Sequence, residues 1–293
     1  MMETGTWTAA GHSFWKGNML KPFRLFFAAL SKFDHDHGFF LSSAITFNLL
    51  ICLIPIILSI LALLGSYLYG SKEVLNHIRQ YLQSVVPSAD PKLMRNVLQI
   101  VQDRRIVGVV GIAGLLWTST WVFSSIRTAF NTVFREDKGR NIIHGKAIDL
   151  FMIVLAGIFL LASMTLSSVM TYVQSSHVTS FLKPLIRFSL KYLLPFFFSF
   201  WMFFLIYKIV PNKKIPWKPA LQAACFSSLL WEVAKQLFGW YVTHLGKFSM
   251  VYGSLSTMAV LFLWIYYSSA ILILGGEIAF LLDMRGKKAR KTG

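Results

Sequence analysis

The feature that most constrains this chain is a set of long, unbroken apolar runs, the last of which covers residues 252–282. A helix rises about 1.5 Å per residue, so about 20 apolar residues cross a hydrocarbon core about 30 Å thick. Six runs have this character, at 39–64, 106–126, 147–172, 192–210, 219–242 and 252–282. They are too long for barrel strands and lack two-residue alternation, so each satisfies its own backbone as a helix. Only 14% of the residues are charged and the mean hydropathy is +0.58. A soluble domain carries about 25% charged residues. The expected fold class is therefore all-α: a polytopic membrane bundle of six transmembrane helices with amphipathic interfacial helices.

The first run begins near residue 39 and is too long for a signal-peptide core, so it is expected to stay as an anchor. Cys52 and Cys225 both fall inside runs and read as small buried hydrophobes, not as a disulfide framework. The expected organisation is a cytoplasmic N-terminal segment (1–38), a transmembrane domain (39–283) and a basic cytoplasmic tail (284–293). Before the first run, "NMLKPFRLFFAALSKFDHDH" carries an apolar face with Lys21, Arg24 and Lys32 opposite it. It reads as a helix lying in the interface. In the outer segment 71–105, apolar residues recur at helical spacing on both sides of Pro87 and Pro91. Two amphipathic helices are expected there, either a cap over a pathway or packing cover.

The net charge of +17 is distributed by membrane side. If the N-terminus is cytoplasmic, 18 of the 29 Lys and Arg residues lie inside, 10 lie outside, and Lys235 lies within a run. The positive-inside rule then places both termini in the cytoplasm. The partner expected for these positives is the anionic headgroups of membrane lipids, with no nucleic acid. A homo-oligomer is compatible with this reading.

Polar residues inside the runs are the candidates for function. Asn48 precedes Pro55 by seven residues, and a proline frees a helical carbonyl and kinks the helix, for packing or as a hinge. Glu232 and Lys235 stand three apart on one helix face. An unpaired charge near the membrane centre costs about 3 kcal/mol or more, so the two are expected to pair. The pair either locks the structure or releases one member to a headgroup or a proton. Glu277 follows Gly275 and Gly276, which allow close helix approach and turn it into the bundle. From the helical rise it lies roughly 9 Å from the inner boundary, at a different depth from Glu232. Its expected partners are Asn48 or Arg127.

Catalytic patterns are weak. "DHDHG" at 34–38 alternates imidazole and carboxylate, but no HExxH, CxxC or phosphate-cradling glycine loop accompanies it. A solvated turn is the preferred reading over a metal site. No nucleophile elbow occurs. The chain is expected to be no enzyme, with no catalytic residue, metal site or cofactor.

Four blocks carry a resemblance: "FFLSSAITFNLLICLIPIILSILALLG", "GLLWTSTWVFSSIRTAFNTVF", "YKIVPNKKIPWKPALQAACFSSLLWE" and "VYGSLSTMAVLFLWIYYSSAILILGGEIAFLL". Together, over about residues 25–283, they resemble the YihY/virulence factor BrkB family. The last block is the most specific, with Tyr252-Gly253-Ser254, Leu263-Trp264-Ile265-Tyr266 and Gly275-Gly276-Glu277. Gly276 and Ala279 stand where the family usually has an alanine and an asparagine. The resemblance implies a bacterial inner-membrane protein with six spans, linked to the cell envelope. The family has also carried a ribonuclease name, which fits poorly here. Two-metal hydrolysis needs clustered aqueous carboxylates and histidines, and the cytoplasmic segments are short and basic. The expected function is a transporter or lipid-handling protein with an intramembrane polar pathway through Asn48, Pro55, Arg127, Glu232, Lys235 and Glu277. Gly253, Gly275 and Gly276 serve helix packing. The alternatives are a non-transporting scaffold or assembly factor and, behind it, a membrane-tethered ribonuclease.

Overall fold

The computed structural model describes residues 21–68, 104–136, 145, 147–155, 158–159, 193–245 and 254–291. In chain order its helices are α1 (Lys21–His35), α2 (Gly38–Leu68), α3 (Arg104–Phe134), α4 (147–155), α5 (Leu194–Ile209), α6 (Trp217–Leu245) and α7 (Ser254–Lys291). No strand occurs among the described residues. The all-α class stands. Among the described residues, three segments are long and apolar enough to cross a membrane: Gly38–Leu63, Arg105–Phe134 and Met258–Lys288. The expected outer helices in 71–105 and Gly253 lie outside the described residues, as does most of the run 147–172.

Helix α7 is the axis of the bundle and packs against α1, α2, α3, α5 and α6. Every residue from Ile271 to Phe280 is buried, the signature of a helix covered on all sides. At the N-terminal end of α7, by contrast, Met258, Phe262 and Leu263 are exposed. The tight core therefore gathers at one end of the bundle, where α2 and α6 begin and α3, α5 and α7 finish. Phe130 and Tyr207 meet edge-on there at 5.7 Å between ring centroids, and Phe134 and Phe280 at 6.1 Å. Such edge-to-face pairs add about 1 kcal/mol each beyond their buried area.

Small residues bring α2 and α3 together. Gly108, Gly111 and Gly114 recur every third residue on α3 and face Ala62, Ser59 and Pro55 of α2. A Cβ at Gly111 would stand 3.0 Å from the backbone nitrogen of Ser59, so that position tolerates no side chain. Pro55 is buried in this seam against Gly114, and α2 continues through it to Leu68.

Two connections depend on unusual backbone conformations. Arg135 has φ 51°, with its N–H bonded to the carbonyl of Thr132 and the next N–H, of Glu136, bonded to that of Asn131. This pair of bonds is a Schellman ending with an arginine where glycine is usual. Between α1 and α2, His37 has φ 56° and is followed by Gly38, where any Cβ would overlap the ring of Phe33. That tight corner brings α1 back against the bundle.

Candidate functional site

The site is built where α1 docks on the compact end of the bundle. On α1, Leu25, Phe26, Ala29, Lys32 and Phe33 follow helical spacing and face inward. Lys32 is thus in the apolar register, only 8% exposed, and not on the outward polar face expected for it. Its ammonium donates to Asp36 Oδ2 at 2.5 Å, to Glu277 Oε2 at 2.5 Å and to the backbone carbonyl of Val133 at 2.9 Å. It also lies 4.2 Å from the centroid of the Phe280 ring. Val133 lies in the last turn of α3, where carbonyls run out of helical donors and stand at the negative end of the helix dipole. Lys213 adds a second cation there, donating to the carbonyl of Phe134 at 3.4 Å.

Glu277 is fully buried and points into the bundle, as expected, but its partner is Lys32 and neither Asn48 nor Arg127. The amide of Asn48 donates to the carbonyl of Ala44 on its own helix at 3.2 Å. Arg127 donates to both carboxylate oxygens of Asp149 at 2.5 Å, tying α3 to α4. The corner at His37 turns α1 back so that Lys32 reaches Glu277.

The "DHDHG" turn is not merely solvated. Asp36 is 8% exposed and accepts from Lys32 and from His35 Nδ1 at 3.0 Å. Burial alone would raise the Asp36 carboxyl, but the hydrogen bonds from Lys32 and His35 and the charges of Lys32 and Arg135 outweigh it. The net effect holds Asp36 below its ordinary value of 3.8. At the neighbouring connection, burial and the like charges of Lys287 and Lys32 push the Lys213 ammonium down, against the pull of Asp283 and Glu136. Asp283, itself buried, is bridged by Lys287 at 3.0 Å and approached by Lys213 at 4.0 Å.

One turn before the ion cluster, Tyr207 joins three helices. Its hydroxyl donates to the carbonyl of Leu272 at 3.0 Å and pairs with Ser227 Oγ at 2.7 Å. A carbonyl can only accept, so Ser227 is the donor to Tyr207. Gly275 faces these two hydroxyls and Gly276 faces the ring of Phe130, so a Cβ at either would overlap them.

Glu232 and Lys235 pair at 2.6 Å on α6, as their spacing requires. They lie away from the ion cluster, partly buried, and Trp231 and Phe238 of the same helix pack at a tilt against Trp264 of α7, at 5.1 and 4.6 Å between ring centroids. Cys52 is buried as expected, whereas Cys225 lies on the exposed face of α6; both thiols are free. The residues that sequence reasoning missed are Lys32, Asp36, Asp149 and the glycine stripe of α3. The period-three glycines and the apolar register around Lys32 were signals that could have found two of these.

A family profile described as Virulence factor BrkB matches residues 29–293. A UPF0761 membrane protein of Haemophilus influenzae is 25% identical over 276 residues, covering 92% of this chain and 98% of its own length. Similar UPF0761 membrane proteins occur in Glaesserella parasuis, 30% identical over 69% of this chain and 72% of the relative, and in Cronobacter sakazakii, 28% identical over 86% of each. No solved structure matches the chain. With the profile spanning nearly the whole chain and the GGE motif at its packed centre, the protein belongs to the YihY/BrkB family of integral membrane proteins.

Proposed function

We propose that the protein is a transporter or lipid-handling protein of the bacterial inner membrane, acting through an intramembrane polar pathway and not as an enzyme. The observation that carries this reading is the contrast along the bundle. One end is sealed by Lys32, Asp36 and Glu277. The partly exposed Glu232–Lys235 pair stands roughly 22 Å along α6 from Trp217, by the helical rise. A partly exposed ion pair at that depth, beside aromatic rings, offers both charge signs to a headgroup or polar solute.

In this reading the chain spans six times with both termini in the cytoplasm. The basic bias of the inner segments supports that topology, and α1 and the C-terminal part of α7 meet at one end. Residues 1–38 and 284–293 flank a transmembrane domain of 39–283. Lys214, Lys218, Lys287 and Lys288 are exposed near the sealed end beside Trp217, a composition suited to anionic headgroups. Lipid scrambling and solute flux in liposomes of the purified protein test the reading. Rates above protein-free vesicles, reduced by Glu232→Gln, are expected; rates equal to empty vesicles would overturn it.

One observation favours a second reading, a non-transporting scaffold. Glu277 has no exposed surface and is held by Lys32, which suits a fastener. Scaffold wins if Glu277→Gln lowers thermal stability and no flux is measured with either form.

A further inference from the structure

A continuous line of titratable groups leads from solvent to the centre of the bundle. His35 is 49% exposed at its side chain, its Nδ1 bonds Asp36, Asp36 bonds Lys32, and Lys32 bonds Glu277. The inner terminus is incomplete: Oε1 of Glu277 is buried and has no hydrogen-bond partner among the described residues. Lys32 cannot supply one, because its three protons are committed to Asp36, Glu277 and the carbonyl of Val133. Two buried carboxylates therefore share one ammonium, and the trio carries an uncompensated negative charge. The other charged groups facing Glu277 do not complete it. Arg135, beyond α3, is exposed and acts through space. Lys213 lies 5.1 Å from the Phe280 ring and approaches Asp283. Asp283 itself is bridged to Lys287.

We infer that Glu277 is a proton-binding site, reached through His35 and Asp36, whose protonation releases the latch that Lys32 makes between α1 and α7. One proton enters from water at the His35 ring and passes from Nδ1 to Asp36. Lys32 gives a proton to Glu277 and regains one from Asp36, so Lys32 ends as an ammonium and Asp36 as a carboxylate. The net change is one O–H bond formed on Glu277, and the trio becomes neutral. Lys32 then keeps Asp36 and the α3 carbonyl while its charge attraction to α7 is lost. The inference rests on the transport reading for the use of a coupling proton, and its measurement needs no flux.

Infrared titration of the protein in lipid nanodiscs, with hydrogen exchange of α1 followed in parallel, tests it. Lowering the pH from about 8 to about 5 is expected to raise a protonated-carboxyl band in the wild type and in Glu232→Gln, but not in Glu277→Gln. Exchange of α1 amides is expected to rise about tenfold in the wild type, after correction for the intrinsic pH dependence of exchange. In His35→Asn, whose exposed ring lies outside the buried pair, the band persists but forms more slowly after a pH jump. A band that survives in Glu277→Gln, or α1 exchange that is independent of pH, overturns the site. Should Glu277→Gln not fold, unchanged kinetics in His35→Asn overturn the route. Titration without flux would remove the transport reading and leave the proton site; flux without titration would do the reverse.

Discussion

Lys32 and Glu277 are separated by 245 positions in sequence, and their side chains meet at 2.5 Å. This contact fastens one end of the bundle, because it joins the short helix α1 to the long helix α7. Neither partner meets water directly: Lys32 is 8% exposed and Glu277 is fully buried.

The glycines beside Glu277 are expected to be irreplaceable. Ala normally stabilises a helix relative to Gly by about 1 kcal/mol. At Gly275 the new methyl would meet Tyr207 and Ser227, and at Gly276 it would meet Phe130. Gly275→Ala and Gly276→Ala should each cost about 1–3 kcal/mol. Gly286, on the same helix with open space around it, is the control. Gly286→Ala should leave the melting temperature unchanged or raise it, as measured in one detergent for all three variants.

Tyr207→Phe keeps the ring and removes the hydroxyl that joins α5, α6 and α7. Two buried oxygens then lose a partner, and a loss of about 1–3 kcal/mol is expected. Ser227→Ala should cost less, because the Tyr207 hydroxyl keeps the Leu272 carbonyl. The double variant should lose less than the sum of the two, a non-additivity that thermal unfolding can read.

The acid limb of stability should depend on Asp36. Its carboxyl is held below the ordinary value in the fold, so the unfolded chain takes up the proton first as pH falls. The contribution is complete above about pH 3.8 and is lost below it, as pH falls through the folded value. Lys213 is shifted downward by burial, so the folded chain releases its proton first, and stability from this group rises as pH climbs toward 10.5. Unfolding midpoints across pH should show a shallower acid limb in Asp36→Asn. A limb identical to that of the wild type would contradict the assignment.

The path from sequence to fold was clearest where one physical demand dominated. Hydrocarbon thickness placed α2 and the starts of α3 and α7 within a few residues, but α7 runs on to Lys291 and α3 to Phe134, where Phe130, Val133 and Phe134 pack against the bundle. Spacing alone paired Glu232 with Lys235, since both stand on one helix. The partner of Glu277 was not legible, because it depends on a corner at His37 that only tertiary packing specifies. The charge of Lys32 points to a polar face, although Ala29 and Phe33 place it in the inward register. The pairing of Arg127 with Asp149 is not legible either, because the two stand on separate helices that no spacing rule connects.

The most direct test of the account is a double-mutant cycle on Lys32 and Glu277, followed by thermal unfolding in lipid nanodiscs. Lys32→Met leaves two carboxylates buried without their cation and should cost about 3–5 kcal/mol. Glu277→Gln, with Lys32 still held by Asp36, should cost less. The two effects should couple by more than about 1 kcal/mol, so that the double variant is more stable than additivity allows. Strictly additive losses would mean that the two side chains do not meet in the membrane, and would contradict the account.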